Sequence, residues 1–278
     1  MRLAISNIAW DVAEDDVIAT LLQCHSVDAI DIAPGKYFPD PMQTTGEEVG
    51  RVKTWWAERG IEITGMQALL FGTKGLNVFG AQEVQDAMLQ HLTAVCRIGA
   101  GLGATRVVFG SPKNRDRSGL SDQAAIDAAI PFFQRLGDIA QSYGVVLCLE
   151  PNPTCYGANF MTTTFETSDL ITQIAKPAIR LQLDTGALSI NGEDPLHVVQ
   201  QCAPLIGHIH ASEPDLVPLG DGGVEHDRVA EVLEQYLPNK IVSIEMLATK
   251  DEPHEVSIKR ALTVAIRGYR NNSIGGNP

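Results

Sequence analysis

Positive charge is scarce in this chain: 21 Lys and Arg stand against 34 Asp and Glu over 278 residues, a formal net charge of −13. Binding to a phosphate backbone depends on clustered Lys and Arg. Tight binding to nucleic acid is therefore argued against, and a small molecule is expected instead. Cysteine is sparse and unpatterned. Cys24, Cys96, Cys148, Cys155 and Cys202 are odd in number and widely scattered, with no CxxC pair and no zinc-ribbon spacing. They read as reduced packing thiols rather than a disulfide or zinc framework. Long apolar runs are missing too: the opening MRLAISNIAW meets Asp11 after a short hydrophobic stretch, unlike a membrane span or a secretory leader. A cytoplasmic protein without a membrane partner is expected. No internal repeat or low-complexity segment is visible.

What is present suits one large α/β domain. The length is close to the roughly 250 residues of a typical (β/α)8 barrel, and 44% hydrophobic residues supply a sizeable core. Short runs rich in β-branched residues alternate with helix-type patterns from end to end, the signature of βαβ units and a parallel sheet. Strands are expected at Arg2–Ile8, Ala29–Ile32, Glu62–Leu69, Arg106–Phe109, Val145–Glu150, Ile179–Asp184, Ile206–His210 and Lys240–Glu245. Helices are expected at Glu14–Cys24, Glu47–Arg59, Val84–Gly101, Ser121–Tyr143, from a Thr163/Glu166 capping box to Ile174, from Asp194-Pro195 onward, Asp227–Leu237 and Glu255–Arg270. Eight of each make a single (β/α)8 TIM barrel over residues 1–270, with NNSIGGNP (271–278) as a frayed tail.

Four consecutive strands end in a side chain able to bind a metal: VVLCLE at Glu150, IRLQLD at Asp184, IGHIH at His210 and KIVSIE at Glu245. A parallel barrel gathers its strand C-termini on one face, so these four are expected to converge. Taken singly, an acidic residue closing a strand is most often a cap or an ion-pair partner; four in succession argue against that. Three carboxylates and one imidazole, with a position left open, suit one divalent ion such as Mn2+, Mg2+ or Co2+, with Zn2+ a further candidate.

At these residues the chain resembles the xylose-isomerase-like barrel superfamily, and within it the sugar phosphate isomerase/epimerase group that includes the tagatose 3-epimerase-like enzymes. LEPNP around Glu150, LDTG around Asp184, HIHASE around His210, PLGDGGVEH at Pro218–His226 and SIEM around Glu245 carry the resemblance. It implies that the four residues hold one divalent metal, that Glu150 and Glu245 double as an acid/base pair, and that the reaction interconverts ketoses or related small polyols through an enediolate. It allows a homo-oligomer, relatives being commonly dimers or tetramers, and leaves the oligomeric state open. Two positions depart from the pattern. Ala187 stands where many relatives place a substrate-reaching histidine, and Tyr156-Gly157-Ala158-Asn159 where tagatose-type epimerases carry a further glutamate.

Around this centre, Lys113, Arg115 and Arg117 in GSPKNRDR suggest capture of a phosphate or carboxylate on the substrate, against a loop paired with its own acids such as Asp116 and Asp122. Gln67, Asn152 and Trp10 are expected to contact substrate, core packing being the competing reading for the tryptophan. Glu213 either touches substrate or orients the site, or caps the following turn. His208 is expected one layer below His210 as a satisfied core histidine, and His226 as a residue that packs at a helix start. Three other readings stay open: a metal-dependent dehydratase of an inosose- or dehydroshikimate-like substrate, a sugar-binding barrel without catalysis, and an abasic-site nuclease. The nuclease is disfavoured by the acidic surface, by the ends of strands two and three, AIDI and EITGMQALL, which carry no histidine, and by Ala187 in place of a further ligand.

Overall fold

The computed structural model describes residues 1–270; the tail expected at 271–278 lies outside the described residues. Eight parallel strands close into a barrel in sequence order, β1 (Arg2–Ser6), β2 (Ala29–Ile32), β3 (Glu62–Met66), β4 (Arg106–Phe109), β5 (Val146–Leu149), β6 (Ile179–Asp184), β7 (Ile206–Ser212) and β8 (Ile241–Glu245). Closure runs between β1 and β8, where Leu3 lies beside Val242 and Ile5 beside Ile244. Nearly every strand residue is buried, as expected when helices cover the outside and side chains fill the inside. Runs such as RVVF and VLCL follow from this: alternate side chains, Val107 and Phe109 or Leu147 and Leu149, join the hydrophobic core, while Val108, between the first two, lines the barrel mouth.

Helices α1 (Asp15–Cys24), α2 (Gly46–Ala57), α3 (Gln82–Leu102), α4 (Asp122–Ser142), α5 (Thr164–Ile174), α6 (Thr185–Asn191), α7 (Pro195–Cys202), α8 (His226–Tyr236) and α9 (His254–Ala265) surround the barrel. Local chemistry sets their ends. The Thr45 hydroxyl accepts from Glu48 N at 3.3 Å while the Glu48 carboxylate accepts from Thr45 N at 2.8 Å, a complete capping box for α2. The box expected at α5 is half formed. The Thr163 hydroxyl accepts from Glu166 N at 3.2 Å, but the Glu166 carboxylate turns to Met161 N and Thr162 N, at 3.0 and 2.7 Å, and so pins the loop before the helix.

Several boundaries differ from the sequence expectation. β1 stops at Ser6, because the chain turns into a 3-10 segment, Asn7–Ala9, in which the Ser6 hydroxyl accepts from Ile8 N. β3 ends at Met66 rather than Leu69, while β7 continues past His210 to Ser212. The largest difference is α6, a helix that the count of eight omits. It begins directly at Asp184, whose side chain accepts from Ala187 N at 2.7 Å. Reading Asp184 as a ligand hid its second property, that aspartate is also a strong N-cap.

Candidate metal centre

The strand C-termini bring Glu150, Asp184, His210 and Glu245 together: each offers a ligand atom, and these atoms all lie within 4.8 Å of one another. All four are buried. His210 Nδ1 sits 3.1 Å from Glu245 Oε2 and 3.4 Å from Glu150 Oε1. The remaining oxygens are held in place by neighbours. Asp184 accepts from Ala187 N through one oxygen and from the Ser212 hydroxyl through the other, both at 2.7 Å. Glu245 Oε1 accepts from Gln67 Nε2 at 2.6 Å, and Glu150 Oε2 from Asn152 Nδ2 at 3.3 Å.

The arrangement is electrostatically incomplete. Burial, together with repulsion from Glu245 and Glu150, raises the Asp184 carboxyl above its ordinary range. Burial alone would lower the His210 imidazole, yet the two glutamates outweigh it and hold the ring well above its usual value. Burial would raise Glu245, but His210 beside it draws its carboxyl down. His210 Nε2 and Glu150 Oε1 are buried without a hydrogen-bond partner. Buried polar atoms are rarely left this way, and a cation among three carboxylates would remove the repulsion. The donor set therefore fits a divalent ion, with oxygen ligands for a hard metal and an imidazole that zinc, manganese or cobalt would also accept.

Around the centre, the cavity at the barrel mouth has a volume of about 740 Å3 and reaches Glu150, Asp184 and Glu245. Gln67, Asn152 and Glu213 line it; Trp10, Lys113 and Arg115 do not. The Trp10 ring is fully buried, with Nε1 donating to Asp15 at 2.7 Å and its centroid 6.4 Å from that of Trp56 in a T-shaped pair. Lys113 projects from the loop surface. Arg115 is fully buried beneath the site, where it donates to the Glu150 carbonyl at 2.7 Å and to Asn152 Oδ1 at 2.5 Å. Burial lowers its guanidinium to about 10. Anion capture therefore loses its cations: Lys113 is exposed outside the cavity, Arg115 is spent on holding the Glu150 segment, and Arg117 pairs with Asp122 at 2.5 Å away from the cavity lining. The Glu213 carboxylate is likewise engaged, accepting from Gly220 N at 2.7 Å and Val224 N at 2.9 Å and lying 3.1 Å from His226 Nε2. It pins the β7–α8 loop over the site.

Three supporting residues escaped the sequence reading. Ser212 lies two residues beyond His210 on the same strand, so the alternation of strand side chains already carried its signal. Asp31 pairs with His208 at 2.7 Å, and Thr64 donates to its other oxygen at 3.0 Å, one layer below the centre. Burial would raise Asp31, but His208 outweighs it and holds the carboxyl at about 2. Gly110 follows β4 with the Glu150 carboxylate in the space where a Cβ would stand. Nothing in a sequence marks that encounter.

The xylose isomerase-like TIM barrel family matches residues 21–265, and the chain belongs to it. Among curated proteins, none matches the sequence. Solved structures of the same fold include a D-psicose 3-epimerase from Clostridium cellulolyticum H10 with D-tagatose, 16% identical, TM-score 0.80, covering 97% of this chain and 99% of that one. An L-ribulose 3-epimerase is 17% identical, with a TM-score of 0.77 over 100% and 99%. The IolI protein with a zinc atom is 17% identical, with a TM-score of 0.75 over 97% and 98%. At these identities the likeness is one of fold.

Proposed function

We propose that this protein is a divalent-metal-dependent isomerase or epimerase of a ketose or a related small polyol, with Glu150 and Glu245 as its proton-transfer pair. The observation that carries the reading is the convergence of Glu150, Asp184, His210 and Glu245 at the floor of an open cavity. When bound, the ion would polarise a substrate carbonyl and acidify the neighbouring C–H. The chain's own groups do the rest. One glutamate, ionised, takes the proton from that carbon, and the electron pair of the broken C–H bond becomes the double bond of the enediolate. The other, protonated, returns a proton from the opposite face to give the epimer; delivered to the adjacent carbon, as that carbon's hydroxyl proton passes to the former carbonyl oxygen, it gives the isomer. The two then exchange protonation states through solvent.

The surroundings suit this division. Glu150 follows β5 and Glu245 closes β8, three strands round the barrel, so they approach the cavity from different sides. Gln67 holds Glu245 and Asn152 holds Glu150, which fixes each carboxylate without neutralising it. The structural neighbours named as 3-epimerases agree with the same chemistry. The test is a titration of metal-stripped protein with Mn2+, followed by EPR of the free ion, then C–H exchange of ketoses in D2O. One tight site per chain, with exchange and a product of equal mass, is the expected result. Loss of water from the product would mean the dehydratase instead, and no metal binding would reduce the barrel to a binding module.

A further inference from the structure

The buried carboxylates of Glu150, Asp184 and Glu245 form the floor of the cavity, whereas its rim carries mostly apolar side chains, with the exposed Asp215 among them. Leu70 and Phe71 come from the loop after β3, Pro112 from that after β4, Tyr156 from that after β5, Leu216 from that after β7 and Leu247 from that after β8. Five of the eight loops thus present apolar surface to one opening. These are not stray side chains on mobile ends. Leu247 N donates to the Leu216 carbonyl at 2.9 Å, joining the last two loops, and Asp215 N donates to the Tyr156 hydroxyl at 2.7 Å, joining the third of them. Phe71 is 86% exposed, Leu247 50% and Tyr156 39%, values that leave their faces available to an incoming ligand. Exposed apolar surface of this kind, continuous with a catalytic floor, marks a binding region.

Charge narrows the ligand further. Lys36 is the one cationic side chain lining the cavity among the described residues, and its ammonium is already committed to the carbonyls of Asn7 and Trp10. The other charged lining groups are all carboxylates. A phosphate or carboxylate on the substrate would find no counter-charge. The volume of about 740 Å3 falls in the range of roughly 300–1,000 Å3 that buries drug-sized ligands, more than a free hexose fills.

We propose that the substrate is an uncharged keto sugar carrying an apolar group, held as a glycoside whose aromatic or alkyl aglycone rests on the Phe71–Tyr156–Leu247 rim while the sugar reaches the floor. This rests on the isomerase/epimerase reading. That chemistry needs a free carbonyl beside a hydroxyl-bearing carbon, so the apolar group must hang from another position, and the glycosidic oxygen provides one. Covering a phenyl ring in this rim should tighten binding about ten- to a hundredfold over a methyl group.

The experiment is calorimetry of the metal-loaded protein with methyl and phenyl 3-keto-β-D-glucopyranoside, on the natural chain and on a Phe71→Ser/Leu247→Ser double variant. Both positions are on exposed loops, so folding is not at stake. The expected result is at least tenfold tighter binding of the phenyl glycoside, with the phenyl-to-methyl ratio reduced to about twofold or less in the variant. Equal affinities in the natural chain would overturn the proposal. So would C–H exchange of free ketoses with no binding of either glycoside. If the double variant changed the oligomeric mass and left the ratio intact, the rim would belong to contact with a second copy, and the proposal would fall. Exchange in D2O is scored separately: a phenyl preference without exchange would retain the apolar subsite and overturn the isomerase reading, while exchange without a preference would do the reverse.

Discussion

Gly110→Ala tests whether the position of the Glu150 carboxylate, and not only its presence, makes the centre. A Cβ at residue 110 would overlap Glu150 Oε2, with the carboxyl carbon at 3.0 Å and the Glu150 Cβ at 3.6 Å. Gly110 is not among the residues with positive φ, so its backbone accepts alanine. The clash must then be relieved by the flexible end of Glu150, which swings out of the cluster at an off-rotamer cost of about 0.5–1.5 kcal/mol. A loss of that size moves Tm by about 1–3 °C in a domain of this size. Function should suffer much more. Displacing a group that orients a ligand set lowers metal affinity about 10–100-fold, and moving a general base lowers turnover by about 10²–10⁴-fold. Mn2+ titration of the stripped protein, D2O exchange and a thermal melt measure the three quantities. Wild-type affinity and exchange in a well-folded variant would refute the geometry. A collapse of Tm would show that Glu150 cannot move and that the cost falls on the backbone.

Glu245→Gln should lower C–H exchange by about 10²–10⁴-fold, with the Gln67 contact available to the new amide oxygen; near-normal exchange removes Glu245 from the proton-transfer pair. Arg115→Met strands the buried Glu150 carbonyl and Asn152 Oδ1, which costs about 2–5 kcal/mol of unfolding free energy, read by urea titration. Lys113→Ala should leave KM equal for neutral and anionic substrates, and a rise confined to anions would restore anion capture by that loop. Burial would raise the Glu213 carboxyl, but His226 and the Val224 and Gly220 N–H groups lower it below its ordinary value. Its stabilisation is then whole above the unfolded pKa of about 4.3 and is lost as pH falls through the lower folded value. Glu213→Gln should therefore flatten the acid limb of stability against pH, and an unchanged limb would deny Glu213 that role.

The barrel was legible because alternation of buried strands with amphipathic helices is a local pattern, repeated along the whole chain. The four converging residues were legible for a related reason: in a parallel barrel every strand end lies on the same face, so chain order alone predicts their meeting. Boundaries were less clear wherever one residue serves two purposes. Asp184 reads as a ligand, and only the three-dimensional path shows that it also caps α6. Glu166 reads as half of a capping box, and its carboxylate is drawn instead to Met161 N and Thr162 N.

By itself, then, the sequence determined the class of fold, the face on which the strand ends gather and the four residues that converge there, since periodicity and strand ends are properties of neighbouring residues. Only the tertiary structure decided which of the nearby polar residues reach the cavity. Lys113, Arg115 and Trp10 sit close to the strand ends in sequence terms, yet the loop after β4 leaves Lys113 exposed and buries Arg115 against the Glu150 segment, while the segment after β1 sets Trp10 against Trp56. The same is true of Gly110, Ser212 and Asp31, whose partners are 40, 28 and 177 residues away. Side-chain direction and long-range contact depend on how separate units of the barrel pack together, and no local pattern records that.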